Sequence, residues 1–372
     1  MSSYRLTASS LSVAILLVAT PASAADTTSA ERCRQDLEYL PSFLLENDTG
    51  AADNQRQKGE PAIRKAFERA QQDASRVASD DACLAVLSTY LAAWRTGHLA
   101  VSPAPQPETA QEGDKSADAP ASDVPKAEIK WLSAKTVLFT LPTFHPSQEP
   151  IIRGLVDTNR KKLDHTPFWI IDVRNNDGGS DSSYMPLLDA IVVNARFQVG
   201  AEFLATPANI ESTLRVCELY APGDPSCPRA LAPVAEAMRL AKPGSYVRPA
   251  DAGESISRIE PDRVHAIKPQ RVAVLIDRPC GSSCEEFLLA ARQSWNVKLV
   301  GRRTFGSLDY SNVRPHPLPS GKRLVWYATS RSLRLPHLPV DAAGIPPDIF
   351  LPPPTTDADR AKEIQTVRAM LE

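Results

Sequence analysis

Phe168-Trp169-Ile170-Ile171-Asp172-Val173-Arg174-Asn175-Asn176-Asp177-Gly178-Gly179 decides the fold. An almost continuous apolar run of this length is the pattern of a strand buried on both faces, as in a parallel sheet. It stops at a polar turn and a glycine pair, where backbone N–H groups can be presented without a Cβ in the way. Upstream, residues 136–141 form a second strand and residues 149–163 a helix; downstream, residues 182–193 form another helix. The cycle repeats with a strand at 271–276, a helix at 284–294 and a strand at 297–300. Strand-like residues 323–329 follow, then a short helix after Thr356. Strands that alternate with helices indicate an α/β sheet domain. Between the cycles, residues 194–268 read as an irregular insertion.

Outward from this sheet region, residues 25–101 read as a helical domain. Leu37, Leu40 and Leu44, then Ile63, Phe67 and Ala70, then Leu84, Leu87, Leu91 and Trp94 recur at helical spacing, so three amphipathic helices are expected. Residues 102–125 are rich in Pro, Ala, Glu and Asp and poor in large apolar groups, the composition of a flexible linker that cannot repay its ordering entropy. The α/β remainder spans residues 126–372. Residues 1–24 read as a signal peptide: Arg5 gives the basic end, residues 11–19 an apolar stretch too short to span a bilayer, and Ala22-Ser23-Ala24 a small-residue cleavage site. The product is therefore expected outside the cytoplasm, periplasmic or secreted, with no stable membrane insertion. Six cysteines in such a chain favour disulfides. Local pairing gives Cys33–Cys83, Cys217–Cys227 and Cys280–Cys284; a zinc site competes weakly, since no CxxC pair accompanies them. With 42 Lys and Arg against 44 Asp and Glu, the formal charge is −2, and no nucleic-acid footprint is present.

Three separated segments carry polar chemistry. The glycine pair at Gly178-Gly179 either ends a strand or offers oxyanion donors. Pro279-Cys280-Gly281-Ser282-Ser283-Cys284-Glu285 opens a helix after a strand, so Ser282 is either a cap or a nucleophile at a polarised helix end. Trp94-Arg95-Thr96-Gly97-His98 closes the helical region, and His98 there is either structural or a base that reaches across a cleft.

In this order the segments resemble the tail-specific (C-terminal processing) and tricorn-core serine peptidases. Thr304-Phe305-Gly306-Ser307 and Gly344-Ile345-Pro346-Pro347-Asp348 resemble two further family segments. The resemblance implies a crotonase-like α/β spiral of ββα units after a small helical bundle, with Ser282 as nucleophile. Members with a Ser-Lys dyad carry lysine where this chain has Ser307, so the chain is closer to the tricorn-type branch that uses histidine. His98 is then the base, although Thr96 stands where an aspartate is common; Asp341 is its acidic partner, and Gly178, Gly179 and Ser283 are oxyanion donors. Ser307 is at most auxiliary. The family's PDZ insert is absent. The resemblance implies hydrolysis of peptide or protein substrates, with no metal or organic cofactor and with a pH dependence set by an imidazole that titrates near neutrality. The alternatives are a non-catalytic binding module of the same fold and an esterase that uses the same groups.

Overall fold

A computed structural model of the chain describes residues 28–105, 124–220, 223, 225–249, 253–262 and 266–372. The signal-peptide expectation at 1–24 and most of the linker expectation at 102–125 lie outside the described residues.

Four helices come first: α1 (Ser29–Asn47), α2 (Ala51–Lys58), α3 (Glu60–Ala74) and α4 (Asp80–Trp94). The side chains of Thr28 and Ser79 cap α1 and α4 by accepting the amides of Glu31 and Ala82. The Cys33–Cys83 disulfide ties α1 to α4. Sequence periodicity anticipates three helices here. It misses α2 because only Ala51 of that segment is buried, so no apolar stripe exists to be read.

Next come β1 (Ala100–Pro103), β2 (Glu128–Trp131), β3 (Thr136–Thr140), α5 (Gln148–Leu163), β4 (Phe168–Asp172) and α6 (Asp181–Ile191). The insertion is more regular than its composition suggests. It holds β5 (Arg196–Val199), β6 (Ala201–Leu204), α7 (Pro207–Tyr220), α8 (Ser226–Leu240), β7 (Tyr246–Val247) and β8 (Ile256–Ile259). The Cys217–Cys227 disulfide links α7 to α8. These strands have two to four residues, too few for a clear alternation, and α8 carries Pro233 inside it. The chain then forms β9 (Arg271–Ile276), α9 (Ser283–Ala291), β10 (Val297–Gly301), β11 (Tyr310–Pro317), β12 (Arg323–Ser332), β13 (Ile349–Phe350) and α10 (Asp357–Leu371).

The main sheet has the order β13-β10-β9-β4-β3-β2. Every neighbouring pair is parallel except β2 with β3. Period-two alternation splits its side chains between two cores. Trp169, Ile171, Val272, Val274 and Ile276 pack with residues of α5, α6 and α9 on one face. Ile170, Ala273 and Leu275 pack with Val367 and Leu371 of α10 on the other. The mixed α/β architecture behind a helical region is as the family resemblance implied.

A second sheet centres on β12, which pairs antiparallel with β1, β6 and β11. The N-terminal helices are bound to it: Leu37, Leu44, Leu87 and Trp94 share a core with Leu318, Val325 and Tyr327. Beneath them, buried Arg323 donates to both Asp36 (2.8 Å) and Asp80 (2.5 Å). This docking carries the segment after α4 towards the carboxyl ends of β4 and β9.

Candidate active site

Ligands in parallel sheets bind beyond the carboxyl ends of the strands, and the three polar segments converge there. The turn from β9 into α9 carries Ser282 at φ 57° and ψ −127°. A residue with a side chain held in this region costs about 1–3 kcal/mol unless its surroundings impose it. Here they do. The Ser282 amide donates to the Ser307 carbonyl at 3.0 Å, the Gly281 amide donates to the Asn176 carbonyl at 3.3 Å, and the Cys280–Cys284 disulfide spans the turn with Cα atoms 5.5 Å apart. Ser282 makes no side-chain capping bond to α9, so the capping alternative is not realised. Its hydroxyl has no hydrogen-bond partner among the described residues, and the residue is half-buried.

Against this turn lies Gly178, at φ 106°; a Cβ there would stand 2.8 Å from both the Gly281 oxygen and Ser282 Cβ. The three oxyanion candidates are not equivalent. The Gly178 amide already donates to Asn176 Oδ1 at 2.9 Å. The Gly179 and Ser283 amides have no acceptor among the described residues, and Ser283 opens α9, where the helix end adds partial positive charge. The Ser283 hydroxyl donates to the Gly179 carbonyl at 3.1 Å, which holds the two segments together.

The next layer is built by Glu285, fully buried. Its carboxylate accepts from Thr304 Oγ1 (2.5 Å) and from the amides of Gly306 and Ser307 (both 2.8 Å). Burial raises its pKa, and these three donors oppose that. The Glu in the nucleophile motif thus fixes the Thr304–Ser307 turn, whose last carbonyl holds Ser282. Ser307 is itself buried, with Gly97 packed against it: a Cβ on Gly97 would lie 2.4 Å from Ser307 Oγ. Position 307, where the resemblance implies a lysine in members with a Ser-Lys dyad, is therefore closed by the Gly97-His98 segment.

Arg95 sets that segment. Its guanidinium is paired with buried Asp48 and donates to the carbonyls of Gly97 (3.1 Å) and His98 (3.0 Å). His98 Nδ1 lies 2.6 Å from the Tyr310 carbonyl, an acceptor only, so Nδ1 carries the proton and Nε2 is left as an acceptor. Nε2 has no partner among the described residues, and no hydrogen bond joins it to Ser282. Burial pushes the His98 pKa down to about 4, against the upward pull of the Tyr310 carbonyl.

Asp341 makes no hydrogen bond or ion pair to His98 among the described residues. Its carboxylate accepts the amides of Leu308 (2.5 Å) and Asp309 (2.7 Å), while Asp309 accepts those of Val340 (2.6 Å) and Asp341 (2.8 Å). This reciprocal clasp holds the strand start at Tyr310, so Asp341 supports the histidine through backbone alone. Burial raises the pKa of both carboxyls. The other histidine beside the glycine pair, His145, turns its Nδ1 to Ser147 Oγ at 2.9 Å. Sequence reading missed Asn176, Tyr310 and Asp309; the first lies inside a quoted motif, whereas the other two act through positions that no spacing rule marks.

Comparison with known proteins bears on the fold and the family. No curated protein sequence matches the chain. Among solved structures, a candidate peptidase from Parabacteroides merdae ATCC 43184 superposes with a TM-score of 0.57 at 15% identity, over 93% of this chain and 97% of its own. Mature CPAF superposes at 0.61 and 12% identity, over 91% of this chain and 96% of its own. At such identities the likeness is one of fold. The sequence model of peptidase family S41 matches residues 135–351, well over half the chain and all of the main sheet except β2. The chain belongs to peptidase family S41.

Proposed function

We propose that the protein is an exported serine peptidase in which Ser282 attacks the scissile carbonyl and His98 is the general base. The observation that carries this reading is the strained Ser282 at the start of α9, with the unpartnered amides of Gly179 and Ser283 beside it. His98 Nε2, neutral above about pH 5, takes the serine proton and returns it to the leaving amine. The Tyr310 carbonyl holds the ring tautomer in the role that a carboxylate often fills. The two amides receive the tetrahedral oxyanion, a contribution of about 3 kcal/mol for a single donor in other enzymes. Export is supported by the leader-like first 24 residues and by three disulfides.

A fluorophosphonate probe, followed by peptide mapping, tests the nucleophile, and hydrolysis of peptide and ester substrates tests the reaction. The expected outcome is labelling at Ser282 and peptide cleavage lost in Ser282→Ala. His98→Ala should lose about as much, and the double variant little more, because either loss disables one step. Labelling elsewhere or none, with no hydrolysis, supports the non-catalytic reading. Ester cleavage without peptide cleavage supports the esterase.

A further inference from the structure

Along α9 lies a cavity of about 390 Å³, bounded on one side by Arg196 and Phe197 of β5 and on the other by Glu286 and Leu289. That is within the range of small-molecule and side-chain sites. Three arginines line it against one carboxylate. Arg292 is paired with Asp348 at 3.2 Å and Arg334 with Glu286 at 3.1 Å. Arg196 is left over. It is only 6% exposed, and its guanidinium has no hydrogen bond or ion pair among the described residues. Its guanidinium nitrogens are not sealed from solvent, so the group is open to the cavity that it lines, and its planar fork suits a carboxylate. The nearby carboxyls of Glu286 and Asp181 both have pKa values raised by burial, and both feel Arg334; Glu286 also feels Arg196 through space. Neither is bonded to Arg196.

The cavity adjoins the chemistry. The Glu286 amide donates to the Ser282 carbonyl at 3.1 Å, so the near wall begins one helical turn from the nucleophile, about 6 Å along the axis. An extended peptide covers that distance in about two residues. Arg334, from the cavity's rim, lies 3.9 Å from Asp309, next to the Tyr310 that holds His98. Phe197, 54% exposed, and Leu289 offer apolar surface for the methylenes of a side chain.

We propose that this cavity is a substrate subsite for an acidic side chain one or two residues from the cleaved bond, with Arg196 as its anchoring cation. The proposal rests on the peptidase reading above and names its substrate class. The test uses the full chain and matched peptides with Glu, Gln or Lys at each of two positions on either side of the cleaved bond, all with amidated C termini. At one position Glu should exceed Gln in kcat/KM by at least about tenfold. Arg196→Gln should bring that ratio close to one, Arg196→Lys should retain part of it, and Arg196→Glu should turn the preference towards Lys. Equal cleavage of Glu and Gln peptides by wild type, or an unchanged ratio in Arg196→Gln, overturns the proposal, and thermal melting shows whether each variant is folded. If no peptide is cleaved, the peptidase reading fails on its own. Fluorescence anisotropy of Ser282→Ala with the same Glu and Gln peptides then decides the subsite: tighter binding of Glu supports it, and equal binding overturns it.

Discussion

Gly97→Ala would place a Cβ 2.4 Å from Ser307 Oγ and require a side-chain-bearing residue to hold φ 78°. Such strain costs about 1–3 kcal/mol, and its relief moves the neighbouring His98. Activity should fall more than tenfold while the melting temperature drops by only a few degrees, which steady-state kinetics and calorimetry can separate. On the proposed mechanism His98 also sets the pH dependence. A free imidazole titrates near 6.5, the basis of the near-neutral expectation from sequence, but burial pushes this one down to about 4. Because the base acts when neutral, activity should be level through pH 6 and fall on acidification through about pH 4. The sign for stability follows from the same shift: between about pH 6.5 and 4 the unfolded chain binds a proton that the folded chain does not. Wild type should therefore lose stability as pH falls through that window, and His98→Gln should lose less. A pH–rate profile with its acid limb near 6.5 would show that the ring is exposed to water.

Two of the disulfides have opposite uses. The chain-entropy relation gives about 4 kcal/mol for the Cys33–Cys83 loop and about 2 kcal/mol for Cys280–Cys284, whose separations are 50 and 4 residues. Replacing the first pair by alanines should lower the melting temperature more. Replacing the second should lower the rate of fluorophosphonate labelling at Ser282 more. The elements that carry these bridges differ in how readable they are. β4, β9 and α9 were legible because both faces of each strand are buried and their apolar runs are unbroken. β2 was not, because its pattern alternates between exposed and half-buried residues, and β11 holds two prolines and a half-buried face. Within the site, Ser282 and the glycine pair were legible from their motifs. Tyr310 was not: it contributes a carbonyl, which every residue has, and only the pairing of β11 with β12 brings it to His98.

At the scale of the whole molecule, the helices α1 to α4 and the sheet around β12 are one body. The link is testable at Arg323, 1% exposed and bonded to Asp36 and Asp80. Removal of one partner from a buried ion pair costs about 3–5 kcal/mol, so Arg323→Ala should lower the melting temperature by on the order of 10 °C, although it touches no reacting group. The Tyr310 carbonyl that orients His98 also has a consequence in time. Any chain that emerges N-terminus first, from a ribosome or through a translocase, presents its histidine early and its serine late. The carbonyl that aims the ring and the carboxylate of Asp341 that clasps it follow later still. On the proposed mechanism, until those last residues have folded back onto the first helices a nascent chain would hold both catalytic side chains but not the last supports of its base, and would pass its neighbours in transit as an inert polypeptide.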